Sequence, residues 1–200
     1  MIAIIDYGIG NLGSVKNALD YLKIDNVVTS DKEVILNADK VILPGVGAFK
    51  EAIDTFRQRG FEEVLNKVIE SKKPVLGICV GMQMLFEYSY EFGKHKGLGI
   101  MKGEIVKFDS LNKYKIPHMG WNQIEVLDDN PLLKGMNKKD VYFVHSYYLP
   151  YPNDNAIATT EYAEVKYVSA VRKDNVYACQ LHPEKSCDIG LQILKNFGEL

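Results

Sequence analysis

Short apolar runs rich in Ile and Val recur through the first half of the chain and end in turn residues: "IAIID" (2 to 6), "KVILPG" (40 to 45) and "PVLGI" (74 to 78). Runs of that length without polar alternation suit strands buried on both faces, as in a parallel sheet. Between them, "GSVKNALDYLKI" and "AFKEAIDTFRQRGFEEVLNKVIES" carry apolar residues at helical spacing. Strand, helix, strand, helix, strand, helix predicts a parallel sheet covered on both faces. After about residue 98 the texture changes: "GIMKGEIVKF", "WNQIEVL", "DVYFVHSYYL", "AIATTEYA" and "YVSAVRKDNVYACQLH" read as strands, with Asp174 and Asn175 as turn residues, and "CDIGLQILKNF" as a closing helix. No repeat, low-complexity tract or linker interrupts this order. The expectation is one α/β domain over residues 1–200, with a mostly parallel central sheet flanked by helices and additional antiparallel strands in the second half.

The chain has 200 residues, 46% of them apolar, and a formal net charge of -2. Its lysines are scattered among acids, which gives no electrostatic case for nucleic acid or for an anionic membrane. No stretch approaches the roughly 18 apolar residues of a membrane span. Cys79, Cys179 and Cys187 are an odd number of cysteines without an export signal, so free thiols in a reducing compartment, the cytoplasm, are expected. Small-molecule chemistry leads.

Three stretches could carry it. In "DYGIGNLGS", Gly8, Gly10 and Gly13 match a dinucleotide fingerprint between a strand and a helix, with Asp31 about 20 residues on. Glycines at a strand-to-helix turn serve tight geometry equally well without a ligand. In "KPVLGICVGMQML", Cys79 stands between Gly77 and Gly81 where a strand meets a helix, the form of a nucleophile elbow with cysteine for serine. Such a turn lifts the sulfur out of strand packing and sets it near a helix N-terminus, which favours thiolate. In "LPGVGAF", Pro44, Gly45 and Gly47 could leave backbone N–H groups free to hold an oxyanion.

A cysteine nucleophile needs a base, and the base an orienting partner. His182 in "QLHPEKS" follows a strand-like run, and Glu184 lies two residues on, so an extended turn could bring both side chains to one side. In an open parallel sheet ligands bind beyond the carboxyl ends of strands, and Gly8, Gly45 and Cys79 all fall at such ends. A metal site built from Cys179, His182 and Cys187 is rejected, because "CQLHPEKSC" lacks the paired close spacing of zinc ligands.

Taken together and in this order, "PGVGAF", "GICVGMQ" and "HPEKS" resemble the class I (triad) glutamine amidotransferases. "IAIIDYGIGNLGSVKNAL", "IPHMGWN" and "YFVHSYY" are similar to the glutaminase subunits of imidazole glycerol phosphate synthases, and the likeness runs essentially end to end. The resemblance implies a flavodoxin-like single-domain fold, no cofactor and no metal, and it removes the dinucleotide reading. It implies that Cys79 attacks the carboxamide of L-glutamine, with His182 as base and Glu184 orienting it. The oxyanion would be met by Val80 and by the Val46 and Gly47 loop, and the substrate held by Gly45, Gly47, Gln83, Ser146 and Tyr147. The ammonia would pass to a (β/α)8-barrel synthase subunit in a heterodimer, through a surface including Asn11, Trp121, Tyr142 and Lys185. That barrel typically needs ~250 residues, more than this chain has, so it would be a separate chain. A paralogous subunit feeding another acceptor, such as an enzyme aminating surface-polysaccharide sugars, shares the same catalytic motifs. Outside the family, the alternatives are a dinucleotide-binding module and a cysteine hydrolase or peptidase.

Overall fold

The computed structural model describes residues 1–109 and 113–200. In chain order its elements are β1 (Ile2–Ile5), α1 (Leu12–Tyr21), β2 (Asn26–Thr29), α2 (Lys32–Asn37), β3 (Lys40–Leu43), α3 (Phe49–Gln58), α4 (Phe61–Glu70), β4 (Val75–Ile78), α5 (Val80–Gln83), β5 (Tyr88–Ser89), β6 (His95–Lys96) and β7 (Glu104–Lys107). The second half adds β8 (His118–Gln123), β9 (Glu125–Val126), β10 (Asp140–His145), β11 (Tyr147–Pro150), β12 (Ala156–Tyr162), β13 (Val165–Lys173), β14 (Val176–Cys179), a 3₁₀ turn (Pro183–Lys185) and α6 (Cys187–Glu199). Among the described residues the main sheet runs β2-β1-β3-β4-β14-β13-β11-β7-β5-β6, and β8 and β10 form a separate pair. The order is parallel from β2 through β14. It turns antiparallel through β13, β11 and β7, with β12 pairing β13. Parallel strands first and antiparallel strands later is the division expected from the two textures of the sequence.

β1 and β4 are buried at every position, which is why they read as unbroken apolar runs. Helices cover them with one apolar stripe each: Val15 and Leu19 on α1, Ile53 and Phe56 on α3, Leu65 and Val68 on α4. Fully burying a side chain of this size is worth about 1.5–3 kcal/mol.

Four details differ from the sequence expectation. The helical pattern of residues 48 to 71 is two helices, because Gly60 at φ 71° takes a left-handed conformation that ends one and starts the next. β2 and α2 were not expected; every residue of β2 is only partly buried, so it shows no continuous apolar run. Asp31 is the cap of α2, accepting from the Glu33 N–H at 2.9 Å and the Val34 N–H at 3.4 Å. The helix expected after Cys79 is only the single turn α5, Val80–Gln83.

Candidate active site

The carboxyl ends of β1, β3, β4 and β14 lie side by side at one edge of the sheet, so their loops converge. Cys79 leaves β4 at φ 54° and ψ -111°, a conformation that costs a non-glycine residue of order 1–3 kcal/mol. It is held there by its own N–H donating to Cys179 O at 2.8 Å and its carbonyl accepting from the Gln83 N–H at 3.1 Å. The flanking glycines are sterically required. A Cβ on Gly81 would lie 2.1 Å from Leu43 O, and one on Gly77 2.9 Å from Gly81 O. Because α5 is one turn long, little helix dipole reaches the sulfur. The positive charge facing it comes from His182 instead.

His182 and Glu184 meet through a 3₁₀ turn rather than the extended turn expected, with Pro183 as its first residue. His182 Nδ1 donates to Glu184 Oε1 at 2.8 Å, and both side chains are almost fully buried. The carboxylate fixes the proton on Nδ1 and leaves Nε2 for the sulfur. Burial alone would push the imidazole down. Hydrogen bonding to Cys79 and to Glu184 outweighs it and raises the pKa to about 10. Burial acts against the Glu184 carboxylate, but His182 and Asn11 hold it below its usual range. Ser186 staples the turn: its hydroxyl donates to His182 O at 2.7 Å and accepts from the Tyr142 N–H at 2.9 Å. The His182 N–H donates to Tyr142 O at 2.9 Å. Cys79, His182 and Glu184 are thus joined in series as thiol, imidazole and carboxylate.

A cleft of about 260 Å³ opens over Cys79 and His182. Of the residues expected from the sequence, Val46, Gly47, Val80, Gln83, Ser146 and Tyr147 line it, as does Lys185 at its rim. Gly45 does not. A Cβ there would lie 2.4 Å from Gly81 N, so this glycine lets the loop after β3 close onto the elbow. Gly47, at φ 80°, takes a conformation that favours glycine. Asn11 points inward: its Nδ2 donates to Glu184 Oε1 at 3.0 Å. Trp121 lies on β8 and is half exposed, with its ring against Tyr142 of β10 at 6.1 Å between centroids.

The glycine loop after β1 now has a role without a ligand. Tyr7 Oη donates to Pro44 O at 3.0 Å, and a Cβ on Gly10 would press on Pro44 at 3.2 Å. Tyr7 and Gly10 brace the loop that would hold the oxyanion, and Asn11 braces the carboxylate.

Sequence reasoning missed Glu91, His145 and Gln180. Glu91 and His145 also line the cleft, and Glu91 Oε2 accepts from the Phe49 N–H at 2.6 Å. Gln180 is completely buried, and its Nε2 donates to Cys79 Sγ at 3.6 Å. Glu91 and His145 lie in stretches whose local pattern is a turn and an apolar strand, so neither carries a chemical signal. Gln180 stood in view beside His182, a polar residue ending an apolar run, and its burial was the missing signal.

The family model for class-I glutamine amidotransferases matches residues 3–199. The chain belongs to this family. The imidazole glycerol phosphate synthase subunit HisH of Caldanaerobacter subterraneus is 52% identical to it, over 100% of this chain and 98% of that protein. Subunit HisH 1 of Campylobacter jejuni is 46% identical, with both chains covered in full. Among solved structures, a crystal structure of a glutamine amidotransferase superposes with a TM-score of 0.75 at 19% identity, covering 99% of this chain and 100% of that one. PurLQS from Thermotoga maritima gives 0.73 at 18% identity, over 98% and 96%. At those identities the two structures speak for the amidotransferase fold alone, while the likeness to the HisH subunits runs along the full chain.

Proposed function

We propose that this chain is the glutaminase subunit of an imidazole glycerol phosphate synthase, hydrolysing L-glutamine to glutamate and ammonia for use in histidine biosynthesis. The observation that carries the reading is the buried His182–Glu184 pair set against Cys79 at the mouth of a cleft sized for an amino acid.

Cys79 Sγ attacks the carboxamide carbon, the C–N bond breaks, and His182 delivers a proton to the departing ammonia. Water then adds to the γ-glutamyl thioester, the C–S bond breaks, and glutamate leaves with the thiol restored. The oxyanion is met by the Val80 N–H, which heads α5 and has no partner within the helix, and by an N–H of the Val46 and Gly47 loop. Glu91 and Lys185 offer opposite charges to the zwitterionic head of the substrate, with Gln83, Ser146 and Tyr147 along its side.

Free ammonia is protonated in water and lost as a nucleophile, so the reading includes a (β/α)8-barrel synthase subunit joined to this chain as a heterodimer in the cytoplasm. There the ammonia yields imidazole glycerol phosphate and the aminoimidazole carboxamide ribonucleotide. The strip carrying Trp121 and Tyr142 is assigned to that partner. The test is release of glutamate and ammonia from L-glutamine by the chain alone, with the synthase, and with the synthase plus its ribonucleotide ligand. Equimolar products rising steeply in the last condition support the reading; activation only by a different acceptor enzyme overturns it.

A further inference from the structure

A directed chain of hydrogen bonds ends on the nucleophile. Tyr147 O is a backbone carbonyl and can only accept, so both groups facing it must donate: His145 Nδ1 at 2.8 Å and Gln83 Nε2 at 3.1 Å. That fixes the orientation of the Gln83 carboxamide. Its Nε2 also faces Gln180 Oε1 at 2.9 Å, which makes that atom of Gln180 the carbonyl oxygen. The other end of Gln180, its NH₂ group, is therefore the end that faces Cys79 Sγ at 3.6 Å. On the far side of Tyr147 the same logic holds. His145 carries its proton on Nδ1, so its Nε2 accepts from Tyr167 Oη at 3.3 Å, and Tyr167 Oη accepts from His118 Nδ1 at 3.1 Å. Each donor meets an acceptor when both imidazoles are neutral.

Resting on the glutaminase reading, we propose that Gln180 is a further catalytic residue, whose side-chain N–H donates to Cys79 Sγ and whose orientation is set through Gln83 by the Tyr147 carbonyl. The sulfur then has two hydrogen-bonding neighbours, the His182 imidazole and the Gln180 amide. A donor aimed at sulfur helps in both halves of the reaction. Before attack it stabilises the thiolate and fixes its direction. When the thioester is hydrolysed, the C–S electron pair returns to sulfur, and the N–H receives that developing charge while His182 supplies the proton. A hydrogen bond to a charged group is worth more than one between neutral groups, enough for a change of ten-fold or more in rate. Gln180 has no solvent exposure, and its backbone N–H continues the strand ladder to Ser169 O at 2.9 Å, so the amide is fixed before substrate arrives.

The test uses Gln180→Met, which keeps the length and volume and removes the donor, and Gln180→Glu, which turns an acceptor toward the sulfur. Alkylation by iodoacetamide is followed at each cysteine by peptide mass spectrometry. Exposed Cys187 is the internal reference. The expected result is Cys79 alkylation slowed about ten-fold in Gln180→Met and further in Gln180→Glu, with Cys187 unchanged. For glutamine hydrolysis, kcat falls by a similar factor while KM stays within about two-fold. Alkylation of Cys79 and kcat both within two-fold of wild type would overturn the proposal. If the variants fail to fold, the wild-type chain with ¹⁵N-labelled glutamine still decides. The Gln180 side-chain amide resonances must move when Cys79 is alkylated while those of Gln192 stay, and unmoved Gln180 signals count against the role. Hydrolysis retained by Cys79→Ala would instead overturn the glutaminase reading, whereas an inactive Cys79→Ala beside a fully active Gln180→Met removes only the role of Gln180.

Discussion

Asn11 ties the first loop of the chain to the Glu184 carboxylate, across 173 positions of sequence. Glu184 needs that contact because its other oxygen, Oε2, is buried without a hydrogen-bond partner among the described residues. Asn11→Ala leaves the carboxylate with His182 alone; the expected outcome is a fall in kcat of about ten-fold with KM little changed, read from steady-state glutamate release. An unchanged kcat would show that His182 suffices. Gly81→Ala acts on stability instead, since its Cβ would overlap Leu43 O at 2.1 Å. A loss of about 3 kcal/mol or more in urea unfolding is expected, and a loss under 1 kcal/mol would contradict the steric account of the elbow. Cys79, His182 and Glu184 were legible in the sequence because each sits in a short motif with its own chemistry. Asn11 and Gln180 were not, since what each does depends on a partner about a hundred or more positions away.

Among the elements, the strands of the parallel half were legible because full burial makes them unbroken apolar runs, while edge strand β2 and the break at Gly60 left no such trace. Strands β8 and β10 carry two further buried histidines, His118 and His145. Burial pushes His118 down to about 4; it pushes His145 down to about 3, partly offset by its bond to Tyr147 O. An unfolded chain titrates both near 6.5. Above that pH neither state holds the extra protons, and the contribution of the neutral pair is whole. As pH falls from 6.5 toward 4 and 3, the unfolded chain binds protons that the fold refuses, and stability is lost. His182 runs the other way: raised to about 10, its contribution is whole below 6.5 and lost as pH climbs through 10. Urea midpoints are therefore expected to peak near pH 6.5 and fall on both sides. A profile still rising from pH 6.5 to pH 9 would contradict the His182 assignment, and one falling from pH 4 to pH 6.5 would contradict that of His118 and His145.

For the whole molecule, the strip proposed to face the synthase and the turn that carries His182 both touch Tyr142 of β10. Met119 and Trp121 of β8 are 63% and 53% exposed, an apolar strip that fits a docking anchor. Tyr142 of β10 packs its ring on Trp121 and accepts the backbone N–H of His182. Contact at the strip is thereby two residues from the base. Trp121→Ala is expected to weaken association with the synthase by ten-fold or more in calorimetric titration, and an unchanged Kd would remove the strip from the interface. Glycines on both sides of Val46 make reorientation of that loop sterically cheap, so glutamate release by the isolated chain is expected to be low and to rise when the synthase and its ligand are added. The proposed glutamine hydrolysis depends on Cys79 as nucleophile. The most direct measurement is glutamate release from L-glutamine by the complex with the synthase ligand bound, comparing wild type with Cys79→Ala. Equimolar glutamate and ammonia are expected from wild type, with a loss of at least about 10³-fold in the variant; glutamate release retained by Cys79→Ala would contradict the role of the thiol.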